Sequence, residues 1–325
     1  MRVAFDSRRA GEPHGVGRYS RCLLTALRET SAPEAEIVQT HRPRQADVFH
    51  SPWMDGALLR SPCPMVVTLH GLSALKRRSE RLRTALRPQL RHLAVQRAAR
   101  VIVSTEAIAE EARERFGLER DCIAVIPEAP HSEMRPRDAG EITAVQRRHD
   151  LPERYLVWVG SLEHPDASRH VVKLAAAPRE LPLVLVGPTR PWAYELPDVR
   201  LTGHVGESDL AAILAGAQAL VLPSYDEGLG LPAVEALACG TPVVAFDVPA
   251  VRELLGNRAV FVAPGDVPGL IAAAQLAAPP PAVPTAWTWH DAARATWRVY
   301  AQAACTAPRP RAGRAPARAA SPGYR

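Results

Sequence analysis

The sequence predicts an α/β protein built on parallel sheets and divided into two units. Short apolar runs alternate with longer amphipathic segments along most of the chain, the pattern of consecutive βαβ units. The alternation pauses in the polar, charged stretch 128–152 and then restarts. With 325 residues and 47% hydrophobic content, the chain can pack two domains of ordinary size.

In the first unit, residues 1–150, short runs rich in Val, Ile and Phe predict strands at 2–5, 35–39, 47–50, 64–69, 100–104 and 122–126. Helices are expected over 17–29, 73–99 and 105–116, the second kinked or broken at Pro88. The stretch 128–152 is read as the inter-domain link. In the second unit, residues 151–285, strands are expected near 154–159, 182–187, 199–202, 218–222, 242–246 and 259–262. Its helices fall near 168–177, 207–216, 232–239, 249–255 and 266–277. Pro279-Pro280-Pro281 ends this pattern, and a last helix runs from about 287 to 304. Residues 306–325, mostly Ala, Arg, Pro and Gly, are expected to be disordered.

Composition narrows the function classes. No apolar run approaches the ~20 residues of a membrane span, and the N-terminus lacks the apolar core of a signal peptide. The five cysteines are odd in number and scattered, without metal-ligand spacing, as expected for reduced thiols in a cytosolic protein. The net charge of +6 is local: residues 76–100 carry nine Lys or Arg against one acid, Glu80, and the tail after Cys305 adds five Arg. A solvated helix face and docking on an anionic membrane surface through residues 73–99 are equally good readings of that cluster. Nucleic acid is not expected as a partner, because aromatics are few and none interleave with the basic run. No Asp-x-Asp triplet, Walker loop, Gly-x-Ser-x-Gly elbow or His-Glu-x-x-His is present, and no metal is expected.

The most informative stretch is PSYDEGLGLPAVEALACGTPVVAF. The apolar run Ala219–Leu222 predicts a buried strand, the turn Gly228-Leu229-Gly230-Leu231 follows, and Pro232 suits the first turn of a helix that Gly240 should stop. Glu227 then lies at the strand's carboxyl end and Glu235 one turn into the helix. Eight positions span at most roughly 12 Å along a helix axis, too far for two carboxylates to share a proton. Such a pair suits two ends of one elongated polar ligand.

This segment resembles the Glu-x7-Glu signature of the retaining glycosyltransferases of family 4, which have the two-domain GT-B fold. Other stretches fall in the family's usual order. They are Asp47–Pro52, Val66–His70, Val125–Pro127, Leu156–Glu163, Leu201–Val205 and a closing helix from Trp289 to Tyr300. The resemblance covers about residues 1–303.

It implies two Rossmann-like, doubly wound domains facing across a cleft, with the last helix crossing back onto the first. It also implies a nucleotide sugar donor, an unidentified glycan or lipid acceptor, and no cofactor. By matching position, Glu235 would hold the ribose hydroxyls and Glu227 the transferred sugar. The backbone of Gly228–Leu231 would approach the diphosphate or the sugar. His70 would support the reacting centre, and Gly15-Val16-Gly17 with Arg18 would line the diphosphate or acceptor pocket.

The chain departs from the family pattern in two places. In the loop Gly160-Ser161-Leu162-Glu163-His164-Pro165-Asp166-Ala167-Ser168-Arg169, Ser161 and Asp166 or Ala167 stand where the family usually has the Arg and Lys that neutralise the departing phosphate. Arg169, Lys173, His164 or the first-unit residues Arg8, Arg9 and Arg18 would have to substitute. Glu128-Ala129 also follows Val-Ile-Pro, where an Asn-Gly or other small turn is common.

Overall fold

The computed structural model describes residues 1–12, 15–71, 86–163, 165, 170–225, 230–279 and 287–306. In the first half β1 (Arg2–Phe5), α1 (Val16–Glu29), β2 (Glu36–Gln39), β3 (Val48–Ser51) and β4 (Met65–Leu69) are followed by α2 (Leu86–Gln96), β5 (Arg100–Val103), α3 (Glu106–Phe116) and β6 (Ile123–Val125). The second half holds α4 (Ala139–Arg148), β7 (Leu156–Val159), α5 (Val171–Ala176), β8 (Leu183–Val186), β9 (Val199–Gly203) and α6 (Glu207–Ala215). It continues with β10 (Ala219–Leu222), α7 (Leu231–Ala238), β11 (Val243–Phe246), α8 (Pro249–Leu255), β12 (Val260–Val262) and α9 (Val267–Gln275), and closes with α10 (Trp289–Ala304).

All twelve strands form where the apolar runs predict them. They make two six-stranded sheets, in the orders β2-β1-β3-β4-β5-β6 and β12-β11-β10-β7-β8-β9. Every pairing is parallel. Parallel strands covered on both faces should be apolar throughout, and β3, β4, β8, β10 and β11 are buried at every position.

Each sheet is packed on both sides. The first has α1 and α10 on one face, through Leu23, Leu27, Ala293 and Tyr300. Ile108, Ala112 and Phe116 of α3 cover the other. The second sheet is packed by α4, α6, α7 and α8 on one face and by α5 and α9 on the other.

Strand order reverses between β1 and β3 in the first sheet and between β7 and β10 in the second. Such reversals open a crevice at the carboxyl ends of the strands. The chain leaves β1, β3, β7 and β10 at these crevices.

The link 128–152 holds a helix that the sequence reading left out. Asp138 and Glu141 form a reciprocal capping box at the start of α4. Val145 joins the second sheet's core with Ile213 and Leu214. The charged outer face of α4 masked a short apolar stripe.

The last helix crosses back onto the first sheet as expected, held by polar as well as apolar contacts. The Tyr300 hydroxyl lies 2.6 Å from His50 Nδ1, and His50 Nε2 lies 2.9 Å from Thr68 Oγ1. Trp287 Nε1 donates to the Pro127 carbonyl and Trp297 Nε1 to the Leu27 carbonyl. A second bridge joins the halves through α8, where the Glu253 carboxylate accepts the backbone N–H groups of Glu106 and Ala107 at 2.6 and 2.8 Å.

Candidate functional site

Glu235 faces the other half of the molecule. It lies in the second turn of α7, which follows β10 at the reversal point of the second sheet, and it is 1% exposed. Arg18, in the first turn of α1, reaches it from the first sheet: Nη1 donates to Oε2 at 2.9 Å, and Nη2 lies 2.8 Å from Oε1. The second approach is misaligned, so Oε1 makes no hydrogen bond among the described residues. Nη2 also donates to Glu207, the first residue of α6. One guanidinium thus serves two carboxylates. Burial pushes the Glu235 carboxyl up to about 7, with Arg18 opposing the rise and Glu207 adding to it.

The turn into α1 is shaped by its glycines. Gly15 caps the helix at φ 56, a left-handed value that favours glycine, and Val16 begins it. A Cβ on Gly17 would lie 2.2 Å from the Glu12 carbonyl oxygen and 2.6 Å from that of Arg9, so the preceding loop folds directly onto the helix. In that loop Arg8 is paired with buried Asp6 and Arg9 with Glu12, and both guanidinium groups lie over the Trp53 ring.

His70 ends β4 at the cleft edge, where the sequence places it, but its ring is turned inward. Nε2 donates to the Pro52 carbonyl at 2.7 Å, and Nδ1 faces Glu128 Oε1 at 3.4 Å. Tyr19 of α1 meets the ring edge-on with centroids 4.5 Å apart. Glu128 is buried, and its Oε2 has no hydrogen-bond partner among the described residues. Burial raises its carboxyl above the ordinary range, against the pull of His70 and Arg18. The sequence marked Glu128 only as a departure from a turn motif; the structure makes it the partner of His70.

On the second sheet, Gly230 caps α7 in the left-handed region at φ 54 and Leu231 begins the helix. Gly160 and Gly187 pack backbone to backbone, since a Cβ on Gly187 would lie 1.8 Å from the Gly160 oxygen. Ser161 Oγ accepts the Glu163 N–H at 3.3 Å. Lys173 is exposed on α5, beside His170, and has no described contact with the Arg18 cluster. His170 is buried, with its ring against Tyr225 and Phe246 and its Nδ1 unpartnered among the described residues. Glu227, Gly228, Leu229 and Arg169 lie outside the described residues, as do positions 73–85 of the basic segment, 280–286 and the tail from 307.

Sequence reasoning missed Glu207. A signal was present: Gly206-Glu207 follows the strand motif Leu201–Val205, and an acid in that first turn sits at the carboxyl edge of the sheet. One grouping of metal-type ligands occurs among the described residues, Glu119, Asp121 and Cys122. It precedes β6, at the amino end of the first sheet and away from the crevice.

Two family models match the chain in tandem. Residues 4–129 match "Glycosyltransferase Family 4" and residues 153–277 match "Glycosyl transferases group 1". The chain belongs to glycosyltransferase family 4. Among curated relatives of this family member, D-inositol 3-phosphate glycosyltransferase of Mycobacterium leprae is 31% identical over 283 residues, 78% of this chain and 65% of that protein. The enzyme of the same name from Mycobacterium tuberculosis is 31% identical over 266 residues, 74% of this chain and 54% of that protein. The chain therefore spans somewhat over half the length of these relatives.

Solved structures confirm the GT-B fold. Anabaena HepE in complex with UDP and glucose superposes with a TM-score of 0.65 at 18% identity, covering 93% of this chain and 95% of that one. Sucrose-phosphate synthase from Thermosynechococcus elongatus gives 0.67 at 19% identity, with 93% and 96% covered.

Proposed function

We propose that the protein is a retaining glycosyltransferase that moves a hexose from a nucleoside diphosphate sugar to an acceptor hydroxyl. The observation that carries this reading is Glu235. This acid of the Glu-x7-Glu pair is buried between the two sheets, beside the reversal point where such folds open a ligand crevice. An ionised carboxylate accepts hydrogen bonds and donates none, which suits a ribose diol. In this reading Glu227 orients the transferred sugar, and the Gly228–Leu231 turn brings backbone N–H groups toward it.

The leaving diphosphate and the incoming hydroxyl then occupy one face of an oxocarbenium-like centre. His70, with both ring nitrogens engaged, contributes position beside that centre. Closure of the two halves excludes water from this centre. The donor sugar in this reading is mannose or glucose, the latter bound as UDP-glucose by Anabaena HepE, and the product belongs to cell-envelope glycan, polysaccharide or glycolipid synthesis.

The acceptor is a glycan or a lipid. A lipid would place the protein at the inner face of the cell membrane, docked through residues 73–99. Within the described part of that segment, Arg91 pairs with Asp55 and Arg97 donates to the Leu59 carbonyl, so docking would fall to the basic residues up to Arg87. No helix among the described residues is long and apolar enough to cross a membrane.

The loop without the usual Arg and Lys favours a second reading, a GT-B protein that binds a sugar nucleotide or a partner enzyme without catalysis. One experiment separates the two. The wild type and Glu235→Ala are melted with a panel of nucleotide sugars, and nucleotide release is then followed with and without candidate acceptors. Saturable stabilisation lost in Glu235→Ala, with acceptor-dependent release, supports transfer. Stabilisation without release supports the silent protein. Equal shifts in both proteins remove Glu235 from the donor site.

A further inference from the structure

Arg18 stands where helix physics disfavours a cation. It is the third residue of α1, and a positive side chain in the first turn opposes the helix dipole. What holds it there are Glu207 and Glu235, themselves near the N-termini of α6 and α7. The N-cap residues of all three helices are glycines that offer no side-chain acceptor: Gly15, Gly206 and Gly230. The glycine-capped starts of α1 and α6 therefore meet at one buried guanidinium beside α7, whose first turn offers fewer donors because Pro232 has no N–H and the Ala233 N–H bonds the Gly230 carbonyl, an arrangement suited to an anion. Glu235 Oε1, buried and 2.8 Å from Arg18 Nη2 without an aligned hydrogen bond, is open to a hydroxyl donor only once Arg18 moves from it.

We propose that Arg18 is the cation that meets the donor's diphosphate, parked on Glu235 and Glu207 until the ribose hydroxyls take Glu235 from it. This rests on the reading of the protein as a nucleotide-sugar enzyme. From Glu235 to the first residue of α7 is four positions, about 6 Å of helix rise, within the swing of an arginine side chain. The other first-unit cations at the crevice are engaged, Arg8 with Asp6 and Arg9 with Glu12, and Lys173 lies on α5 beside His170. Arg18 thus fills from the first sheet the role that the loop after β7 leaves empty of Arg and Lys at its expected positions. It also couples donor binding to closure, because the same side chain holds the halves together before and after ligand entry.

The test compares nucleoside diphosphates with their matched nucleosides. UDP, GDP and ADP, and uridine, guanosine and adenosine, are titrated by calorimetry into the wild type, Arg18→Gln, Arg18→Lys and Glu207→Gln, with a melting curve for each protein. For the base the wild type prefers, Arg18→Gln should lose diphosphate affinity by roughly 10- to 100-fold while nucleoside affinity stays within about 3-fold. Arg18→Lys should recover part of the loss. Glu207→Gln, which keeps Arg18 but loosens its parking place, should bind the diphosphate more tightly. An equal loss for nucleoside and diphosphate, or no loss for either, overturns the inference and leaves Arg18 a structural latch. A wild type that binds none of the nucleoside diphosphates overturns the functional reading itself, and the role of Arg18 with it.

Discussion

Glu128 and His70 meet across the first sheet, with Oε1 of the buried carboxyl 3.4 Å from Nδ1 of the ring. The Pro52 carbonyl fixes the Nε2 proton, so Nδ1 is the ring atom that faces Glu128. Tyr19 flanks the ring, and the charge of Arg18 also acts on Glu128. Glu128 therefore orients the His70 ring. Hydrogen bonds to charged groups contribute about 1.5–3 kcal/mol. Glu128→Gln is accordingly expected to lower kcat by roughly 10- to 100-fold with KM within about 3-fold. Steady-state kinetics of the two proteins across pH check this. A variant that melts lower but keeps the wild-type profile would assign Glu128 a purely structural role.

Glu235 makes stability depend on pH in a direction opposite to most carboxylates. Its carboxyl is raised from 4.5 to about 7 by burial, so between those values the folded protein binds more protons than the unfolded chain. That contribution is fully present below pH 4.5 and is lost as pH rises through 7. Buried His50 acts the other way: it is depressed from 6.5 to about 3, and its contribution is lost as pH falls below 6.5. The difference in melting temperature between wild type and Glu235→Gln, followed from pH 5 to 7.5, isolates the first effect. Wild type should lose ground to the variant as pH rises; a flat difference removes the assignment.

Tyr300 anchors the returning helix through His50. Tyr300→Phe keeps the ring packing but leaves His50 Nδ1 without its partner, and a buried unsatisfied group costs about 1–3 kcal/mol. Urea unfolding should show a loss in that range. Coupling to Thr68→Val in a double-mutant cycle would show that the three side chains act as one network.

Glu253 caps α3 from the other half of the molecule. Glu253→Ala should cost about 0.5–2 kcal/mol of local stability, as lost N-caps do. Faster hydrogen exchange at Glu106 and Ala107, together with a larger radius of gyration in solution, would mark opening of the halves. Unchanged exchange would mean that the cap is not what holds them.

Much of the scaffold was legible because buried parallel strands must be apolar runs, and such runs stand out between polar helices. The capping box of α4 was visible too, but a run of charges hid its narrow apolar stripe. Glu235 was legible from its spacing after a Gly-rich turn. Glu207 and Glu128 were not, since each is an ordinary acid whose partner lies far along the chain: 189 residues for Glu207 and Arg18. No local pattern records a pairing made by bringing two sheets together.

The sequence alone determined the twelve strands, the doubling of the α/β pattern and the family, because these follow from short-range periodicity and local motifs. Tertiary structure decided that Arg18 binds Glu235, that Glu128 supports His70 and that α10 is anchored by His50. These are contacts of burial and charge between residues far apart in the chain, and their strength depends on desolvation that exists only once the chain has folded.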